Sequence, residues 1–264
     1  MKSLPFVPAD VFPAVIVPLT PRDAAELADQ AARAAATEGV DVIEWRVDAL
    51  DEIRQSEELG VDGLDAVRAA VTAGWEALQS AASDLPVLMT LRTTIEGGYA
   101  PVTEEAYAAL LDFFIGLGPT AVDIEFQRTA AEDLIARAAA AEVCSFASFH
   151  DFEQTPPAEH LIRLMARMEK AGANVAKIAV MPNHRTDVLE VLSVADRAQA
   201  TLPIPVVAIA MGRLGKATRL VGGEFGSAAT FAAVGEISAP GQLRVPHVLA
   251  ALESLRADEE QTEA

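Results

Sequence analysis

Residues 143–180 have the sequence VCSFASFHDFEQTPPAEHLIRLMARMEKAGANVAKIAV. Two largely apolar runs, Val143–Phe149 and Asn174–Val180, are typical of buried strands, and the stretch 157–171 between them is typical of a helix. Because both runs are apolar rather than alternating, they favour parallel strands that a helix covers on the outer face. This strand–helix–strand unit is the element from which we predict the fold.

The same alternation of strand and helix continues along the whole chain. Further predicted strands are Ala14–Leu19, Val42–Val47, Val87–Arg92, Ala121–Phe126, Pro205–Ala210 and Gly226–Phe231. Further predicted helices cover 22–38, 61–82, 103–117, 129–141, 184–200 and 245–257, with a short helical turn at 214–221. Eight strands in 264 residues favour a closed (β/α)8 TIM barrel, an α/β fold, over an open doubly wound sheet. We predict one barrel domain over 1–264, with a short lead at about 1–12 and a frayed acidic tail at about 258–264.

The charge balance of the chain is strongly acidic. It has 39 acidic residues against 20 lysines and arginines, a net charge of −19, which argues against nucleic acid or an anionic membrane as a partner. No apolar run reaches the roughly 18 to 20 residues that span a bilayer, and the start lacks the apolar region of a signal peptide. The single cysteine, Cys144, excludes an internal disulfide and suits a reducing compartment. We therefore expect a cytoplasmic protein.

Charged and polar side chains gather at the C-terminal ends of the predicted strands, where (β/α)8 barrels carry their chemistry. In the second strand the two-residue alternation places Glu44, Arg46 and Asp48 on one face and apolar residues on the other. Later strands contribute Arg92 followed by Glu96-Gly97-Gly98, then Asp123, Glu125, Ser148, His150, Asp151 and Lys177. Because the intervening residues are apolar, we expect these side chains to meet in the barrel mouth.

Lys177 lies in the middle of an otherwise apolar strand, in a chain with only four lysines. An ammonium group is rarely buried without a partner or a chemical role. Burial favours the neutral amine, which is the form that attacks a ketone to make a Schiff base. The alternative is a lysine near a strand end whose ammonium group extends to solvent.

Six motifs, taken in order, resemble those of the type I 3-dehydroquinate dehydratases, over nearly the whole chain. They are Glu44-Trp-Arg46-x-Asp48, Arg92-x-x-x-Glu96-Gly-Gly98, Ser148-Phe-His150-Asp151-Phe152, Lys177-Ile-Ala, Phe225-Gly-Ser-Ala-Ala-Thr-Phe231 and Ser238-Ala-Pro-Gly-Gln242. The resemblance implies a (β/α)8 barrel, usually a homodimer, that uses no metal or organic cofactor. It also implies dehydration of the small molecule 3-dehydroquinate to 3-dehydroshikimate through an imine, in aromatic biosynthesis or in quinate breakdown.

The resemblance implies catalytic roles for three residues. Lys177 matches the imine-forming lysine, and a protonated imine is an electron sink that stabilises the carbanion formed beside the ketone. His150 matches the general base, which then protonates the departing hydroxyl, a role that suits a pKa near neutrality. Glu96 matches the residue that orients His150.

Binding roles follow from the same resemblance. Arg219 matches the arginine that binds the substrate carboxylate, for which a guanidinium fork is suited. Ser238 and Gln242 match residues of a lid loop, Glu44, Arg46 and Arg92 match residues that hold the ring hydroxyls, and Met211 and Phe225 match apolar residues around the ring. Three positions differ from the family pattern: Pro18 in place of a frequent serine, Ile209 in place of a common methionine, and Ile95 in place of a polar residue.

Three other functions stay open on the residues alone. One is a different Schiff-base barrel enzyme, such as an aldolase, in which Lys177 and His150 keep their roles on another keto acid. A second is a metal-dependent lyase or isomerase with an oxygen-rich site made of Glu44, Asp48, Asp123, Glu125 and His150. A third is a barrel retained as a binding or regulatory module. Inward-facing arginines disfavour the metal site, and the lysine, histidine and glutamate together disfavour the binding module.

Overall fold

The computed structural model describes residues 1–235 and 241–256, and these contain eight parallel barrel strands. The strands are β1 Ala14–Leu19, β2 Val42–Arg46, β3 Val87–Thr90, β4 Ala121–Glu125, β5 Cys144–Asp151, β6 Val175–Val180, β7 Val206–Ala210 and β8 Ala229–Ala233. A short strand β9, Leu243–Arg244, pairs with β8. The helices are α1 Ala24–Ala35, α2 Asp51–Arg54, α3 Leu64–Ala81, α4 Glu104–Leu117, α5 Ala131–Ala140, α6 Ala158–Lys170, α7 Arg185–Thr201, α8 Lys216–Val221 and α9 Val245–Arg256. No helix in the described ranges is long and apolar enough to cross a membrane.

The strands follow one another around a ring in chain order. Each strand from β1 to β6 pairs in parallel with the next, and β8 pairs with β1. Between β7 and β8 the described contact is a single bridge, at which the Ala228 N–H donates to the Val206 oxygen at 2.7 Å. The Ala208 N–H also donates to Ser227 Oγ at 3.2 Å. The ring therefore closes at the start of β7, and the predicted (β/α)8 barrel is confirmed.

Apolar side chains line both faces of the barrel wall, as the apolar strand sequences predicted. Ile16, Phe146 and Val175 are buried inside the barrel, while Trp45 packs outward among the helices. Burying a large apolar side chain stabilises the fold by about 1.5 to 3 kcal/mol. A Cβ at Gly74 of α3 would lie 2.7 Å from the Trp45 ring, so this close approach of helix and strand requires glycine.

The N-terminal lead fills the end of the barrel where the strands begin. Leu4 is buried in the interior apolar cluster, and Phe6 and Val11 pack against that cluster. The ring of Phe6 lies 6.1 Å from the ring of Phe146, measured between centroids. Because apolar side chains close this end, only the opposite end, where the strands finish, offers room for a polar site.

Several strand ends differ from the predicted ones by a few residues. β2 was predicted to continue through Val47, but residues Val47–Ala49 form a 3₁₀ turn. The cause is Asp48, whose carboxylate accepts hydrogen bonds from the backbone N–H groups of Arg92 and Tyr99 at 3.3 and 3.1 Å. Because of these bonds, the chain leaves the parallel sheet just after β2 and β3. The predicted acidic tail at 258–264 lies outside the described residues.

Candidate active site

A cavity of about 320 Å³ opens at the C-terminal ends of the strands. Eight of the nine predicted site residues line it, namely Glu44, Arg46, Arg92, Glu96, His150, Lys177, Arg219 and Gln242. The ninth, Ser238, falls in 236–240, outside the described residues. The rest of the lining is Pro18, Gly97, Tyr99, Phe152, Ala179, Ile209, Met211 and Phe231. A few charged groups in a partly aromatic cavity of this size are typical of a small-molecule site.

A wider recess of about 1060 Å³ adjoins this cavity and shares Pro18 and Tyr99 with it. Its other described lining residues are mostly polar side chains of α1 and the loops around it, and none is a lysine or a histidine. The lysine and the histidine singled out in the sequence therefore both lie in the smaller cavity.

Lys177 points into the barrel from the middle of β6. Its strand neighbours Val175 and Ala179 belong to the interior apolar cluster, as the two-residue alternation requires. The side chain is 5% exposed, so its ammonium group does not extend to solvent. Nζ lies 2.9 Å from Asp123 Oδ2 and 4.8 Å from the centroid of the Phe231 ring. The amine is thus held at the base of the cavity between a carboxylate and an aromatic face.

Arg92 and Asp123 form the centre of a buried group of charges beneath the cavity. Arg92 Nη2 donates to Asp123 Oδ1 at 2.7 Å, and Arg92 Nη1 lies 3.2 Å from Glu96 Oε2 and 3.1 Å from Glu125 Oε1. Burial raises the pKa of Asp123, but Arg92 and Lys177 outweigh this and hold it well below its ordinary value. Asp123 is therefore ionised. Most donors of Arg92 serve these carboxylates, and its predicted contact with a ring hydroxyl stays a prediction.

His150 and Glu96 form a direct pair at the rim of the cavity. His150 Nδ1 lies 2.8 Å from Glu96 Oε2, and both side chains are nearly buried. The 3₁₀ turn Thr94–Glu96 presents the glutamate, and Gly97 ends that turn with a φ of +77°. This positive φ is the reason for glycine there, and a Cβ would in addition displace the partly exposed Phe152 ring.

Burial sets the protonation of this pair. It raises the pKa of Glu96 to about 8, in spite of the opposing charge of Arg92. It lowers the pKa of His150 well below its ordinary value, and the positive charges of Arg92 and Lys177 act in the same direction. The imidazole is therefore uncharged at neutral pH. This differs from the predicted pKa near neutrality, because the sequence did not show how fully the ring is enclosed.

Arg46 is fixed at the cavity wall by Asp48. Its Nε and Nη2 donate to the two carboxylate oxygens at 2.8 and 2.7 Å, a bidentate pair in which Asp48 is fully buried. The Tyr99 backbone N–H donates to the same carboxylate, and Arg54 stacks 4.1 Å above the Tyr99 ring. These contacts hold Tyr99 at the opening of the cavity.

Arg219 projects from α8 into the cavity with 3% of its surface exposed. Burial lowers its pKa to about 10, which still leaves the guanidinium charged at neutral pH. Gln242, which is also buried, lines the same cavity. The prediction for Phe225 is wrong: it is 38% exposed and does not line the cavity. Phe231 supplies the aromatic wall instead, because it faces inward from β8 while Phe225 lies in the turn that precedes the strand.

Several cavity residues were not predicted from the sequence. Phe231 could have been found from the alternation of β8, which places it inward with Ala229. Tyr99 and Phe152 lie in loops, where no periodicity indicates the direction of a side chain. The sequence left the role of Asp123 ambiguous, and the structure places it against Lys177.

The carboxylates that a metal site would have used face cations instead. Glu44 lies 3.6 Å from Lys177, and Asp123 pairs with both Lys177 and Arg92. In the part of the chain that the structure describes, no group of three or more histidine, cysteine, aspartate or glutamate side chains is arranged to hold a metal ion.

Comparison with known proteins decides the family. The sequence model of the type I 3-dehydroquinase family matches residues 15–259. The chain belongs to this family. Among its relatives, the 3-dehydroquinate dehydratase of Lactiplantibacillus plantarum is 36% identical over 219 residues, which cover 82% of each chain. That of Shouchella clausii is 35% identical over 246 residues, which cover 91% of each chain.

Solved structures agree with the sequence comparison. The crystal structure of 3-dehydroquinate dehydratase from Geobacillus kaustophilus matches with a TM-score of 0.86 at 32% identity, over 97% of this chain and 96% of that one. A type I 3-dehydroquinate dehydratase from Clostridium difficile matches with a TM-score of 0.84 at 28% identity, over 94% and 93%. As a type I 3-dehydroquinase the chain is a hydro-lyase acting on 3-dehydroquinate. The predicted family, fold and reaction are confirmed.

Proposed function

We propose that the cavity at the strand ends dehydrates 3-dehydroquinate to 3-dehydroshikimate, with Lys177 forming the imine, His150 transferring the proton and Glu96 orienting His150. The observation that carries the proposal is the position of Lys177. It is a buried lysine in the same cavity as His150 and Arg219, whereas the other three lysines, Lys2, Lys170 and Lys216, lie outside that cavity. A nucleophile, a base and a carboxylate-binding cation thus converge on one ring-sized space.

The first step is attack of the Lys177 nitrogen on the substrate ketone. The amine must first lose its proton, and Asp123 at 2.9 Å and Glu44 at 3.6 Å are the carboxylates within reach of Nζ. The ketone oxygen then leaves as water and a protonated imine remains. That cation withdraws electrons from the neighbouring carbon, so its hydrogen becomes acidic enough to remove.

The second step is proton transfer by His150. Its uncharged imidazole accepts the hydrogen from C2, and the electron pair moves into the enamine. The imidazolium then gives its proton to the C1 hydroxyl, which leaves as water. When Glu96 is ionised it accepts a hydrogen bond from Nδ1 and leaves Nε2 free to act. It also stabilises the imidazolium once it has formed. Hydrolysis of the imine releases the product and regenerates Lys177.

Arg219 is the proposed partner of the substrate carboxylate. Its guanidinium is charged although it is nearly buried, and a charge-assisted hydrogen bond to an anion stabilises such a group. Gln242, and Ser238 by resemblance, would close over the same end of the substrate. Glu44 and Arg46 line the cavity where ring hydroxyls would bind.

Replacing Arg219 by alanine is expected to raise the KM for 3-dehydroquinate by about 10- to 100-fold, the scale of one lost charge-assisted contact. Gln242→Ala should raise KM less, because it removes a neutral donor. Steady-state kinetics measures both effects. Arg163→Ala, at an exposed position on α6, serves as the control and should leave KM unchanged. An Arg219→Ala enzyme with wild-type KM would assign carboxylate binding to another cation.

Chemical trapping tests the proposal as a whole. Sodium borohydride added with 3-dehydroquinate should reduce the imine, inactivate the enzyme and leave a ligand-sized mass on Lys177 in peptide mass spectrometry. Borohydride without substrate should leave no mass and no inactivation. A label on Lys170 or Lys216, or loss of activity on treatment with a chelator, would contradict the proposal.

We further propose that the chain acts as one barrel domain in a cytoplasmic homodimer. The family resemblance supports the homodimer, and the single cysteine supports a reducing compartment. The packing of the N-terminal lead into the barrel supports one domain.

A further inference from the structure

Arg128 lies outside the active-site cavity and is connected to its lining residue Arg92 through Glu125. It lies three residues after the last residue of β4, and its side chain is 6% exposed. Its Nε donates to Glu125 Oε2 at 3.1 Å, and its Nη1 donates to Glu104 Oε1 at 2.6 Å. The guanidinium also lies 5.0 Å from the centroid of the Tyr107 ring. Because two carboxylates and an aromatic face hold it, this buried cation is confined to one position.

Glu125 connects Arg128 to the interior of the barrel. One carboxylate oxygen, Oε1, accepts from Arg92 Nη1 at 3.1 Å and from the Thr93 N–H at 2.8 Å. The other oxygen, Oε2, accepts from Arg128 Nε and from Thr93 Oγ1 at 2.7 Å. The Glu125 backbone N–H donates to the Tyr107 hydroxyl at 2.8 Å. The carboxylate is 1% exposed, so Arg92 and Arg128 together set its position and balance its charge.

Arg92 continues the series of contacts to the proton-transfer pair. Its Nη1 lies 3.2 Å from Glu96 Oε2, and that same oxygen lies 2.8 Å from His150 Nδ1. Arg128, Glu125, Arg92, Glu96 and His150 therefore form one line of direct contacts. When Glu96 is ionised, the charges of the first four members alternate between positive and negative, starting at Arg128 and ending beside the imidazole.

The charge balance of the described cluster depends on Arg128. The buried carboxylates of the site are Glu44, Asp48, Glu96, Asp123 and Glu125, whereas the cations that line the cavity are Arg46, Arg92, Lys177 and Arg219. Without Arg128, Glu125 would have only Arg92 as a charged partner. Arg92 would then turn more fully to Glu125 and less to Glu96, and both changes would add negative potential at the Glu96–His150 pair.

We propose that Arg128 is a positioning residue for the Glu96–His150 pair and acts on it through Glu125 and Arg92. The inference rests on the proposed function, in which His150 is the base. Arg128 holds Glu125 in place, Glu125 holds Arg92 against Glu96, and Arg92 thereby sets the charge that the imidazole experiences. The charged groups that face His150 are Glu96, Arg92 at the end of β3, Asp123 on β4, Lys177 on β6 and Arg46 on β2. Of these groups, Arg128 acts on Arg92 through Glu125, and on Glu96 through Arg92.

The pH dependence of kcat/KM tests this role in the full-length enzyme. Arg128→Met removes the positive charge that balances Glu125, so the negative potential at the pair increases and favours its protonated form. The acidic limb of the profile, along which activity rises as His150 loses its proton, should then move to higher pH by about half a unit to one unit. Arg128→Lys restores the charge and should return the limb most of the way. Arg137→Met is the matched control, because Arg137 pairs with Asp112 at an exposed position on α5 and should leave the limb in place.

Rates are normalised to active sites counted by borohydride trapping at Lys177, so loss of folded protein does not enter the profile. If Arg128→Met does not fold, Arg128→Gln keeps a donor for Glu125 and removes only the charge, and it should shift the limb in the same direction. An unshifted limb in a folded, charge-free variant would overturn the inference and leave Arg128 a purely structural residue. Different results would contradict the proposed function: wild-type enzyme that is not trapped at Lys177, or a His150→Ala variant that turns over normally.

Discussion

Replacing Lys177 by methionine is expected to abolish dehydration, with a fall in turnover of about 10⁴-fold or more, the scale seen when a covalent nucleophile is lost. Methionine is unbranched and can still pack against the Phe231 ring, which lies 4.8 Å from Nζ in the wild type. It has no amine, so no imine forms. The carbanion left by removal of the C2 hydrogen is then stabilised only by a neutral ketone. Release of the conjugated product, followed by ultraviolet absorbance, measures the effect.

Two comparisons separate chemistry from folding in this variant. Lys216→Met changes an exposed lysine on α8 and should turn over normally. Lys177→Arg keeps a positive charge beside Asp123 and Glu44 but supplies no nucleophile, so it should be as inactive as Lys177→Met with a thermal stability nearer wild type. Substantial turnover by a folded Lys177 variant would assign the imine to another residue.

His150→Ala is expected to lower turnover by about 10² to 10⁴-fold, the usual contribution of a general acid–base group. The imine should still form, because Lys177, Asp123 and Arg219 are unchanged. Borohydride should therefore trap substrate on Lys177 in an enzyme that barely releases product. This pairing of normal trapping with lost turnover distinguishes a missing base from a collapsed site. Near-normal turnover would show that another group removes the proton.

Glu96→Gln provides the companion test for the same step. Glutamine can still hydrogen-bond to His150 Nδ1 but cannot carry charge, so the loss of turnover should be smaller than in His150→Ala. Burial raises the pKa of Glu96 to about 8, so below that pH the pair holds an additional proton and Glu96 no longer accepts from Nδ1. Without the carboxylate the imidazole titrates alone, with a lowered pKa, and the limb of the pH–rate profile should move to lower pH. This is the opposite direction to Arg128→Met, and an unchanged limb would make Glu96 a structural residue.

The direction of each strand side chain could be predicted from the sequence, because the alternation along a strand is a local property. It correctly placed Glu44 and Arg46 inside the barrel and Trp45 outside it. The ordered motifs identified the family for a related reason, since each motif is a short stretch at one strand end. Strand ends were less well predicted. Asp48 accepts hydrogen bonds from the backbone of a different strand connection, and no nearby residue signals those bonds.

Only the tertiary structure decided which charges meet. Asp123 and Lys177 are 54 positions apart, and Arg92 reaches Asp123 across 31. Their contacts exist because the ring brings the ends of β3, β4 and β6 to one place. This follows from the order of the strands in the sheet, which cannot be deduced from any single segment. The same enclosure removes water from His150 and Glu96 and shifts their pKa values in opposite directions, because burial disfavours the charged form of each. Sequence alone therefore determined which strand residues face inward, whereas the closed ring determined their partners and their protonation.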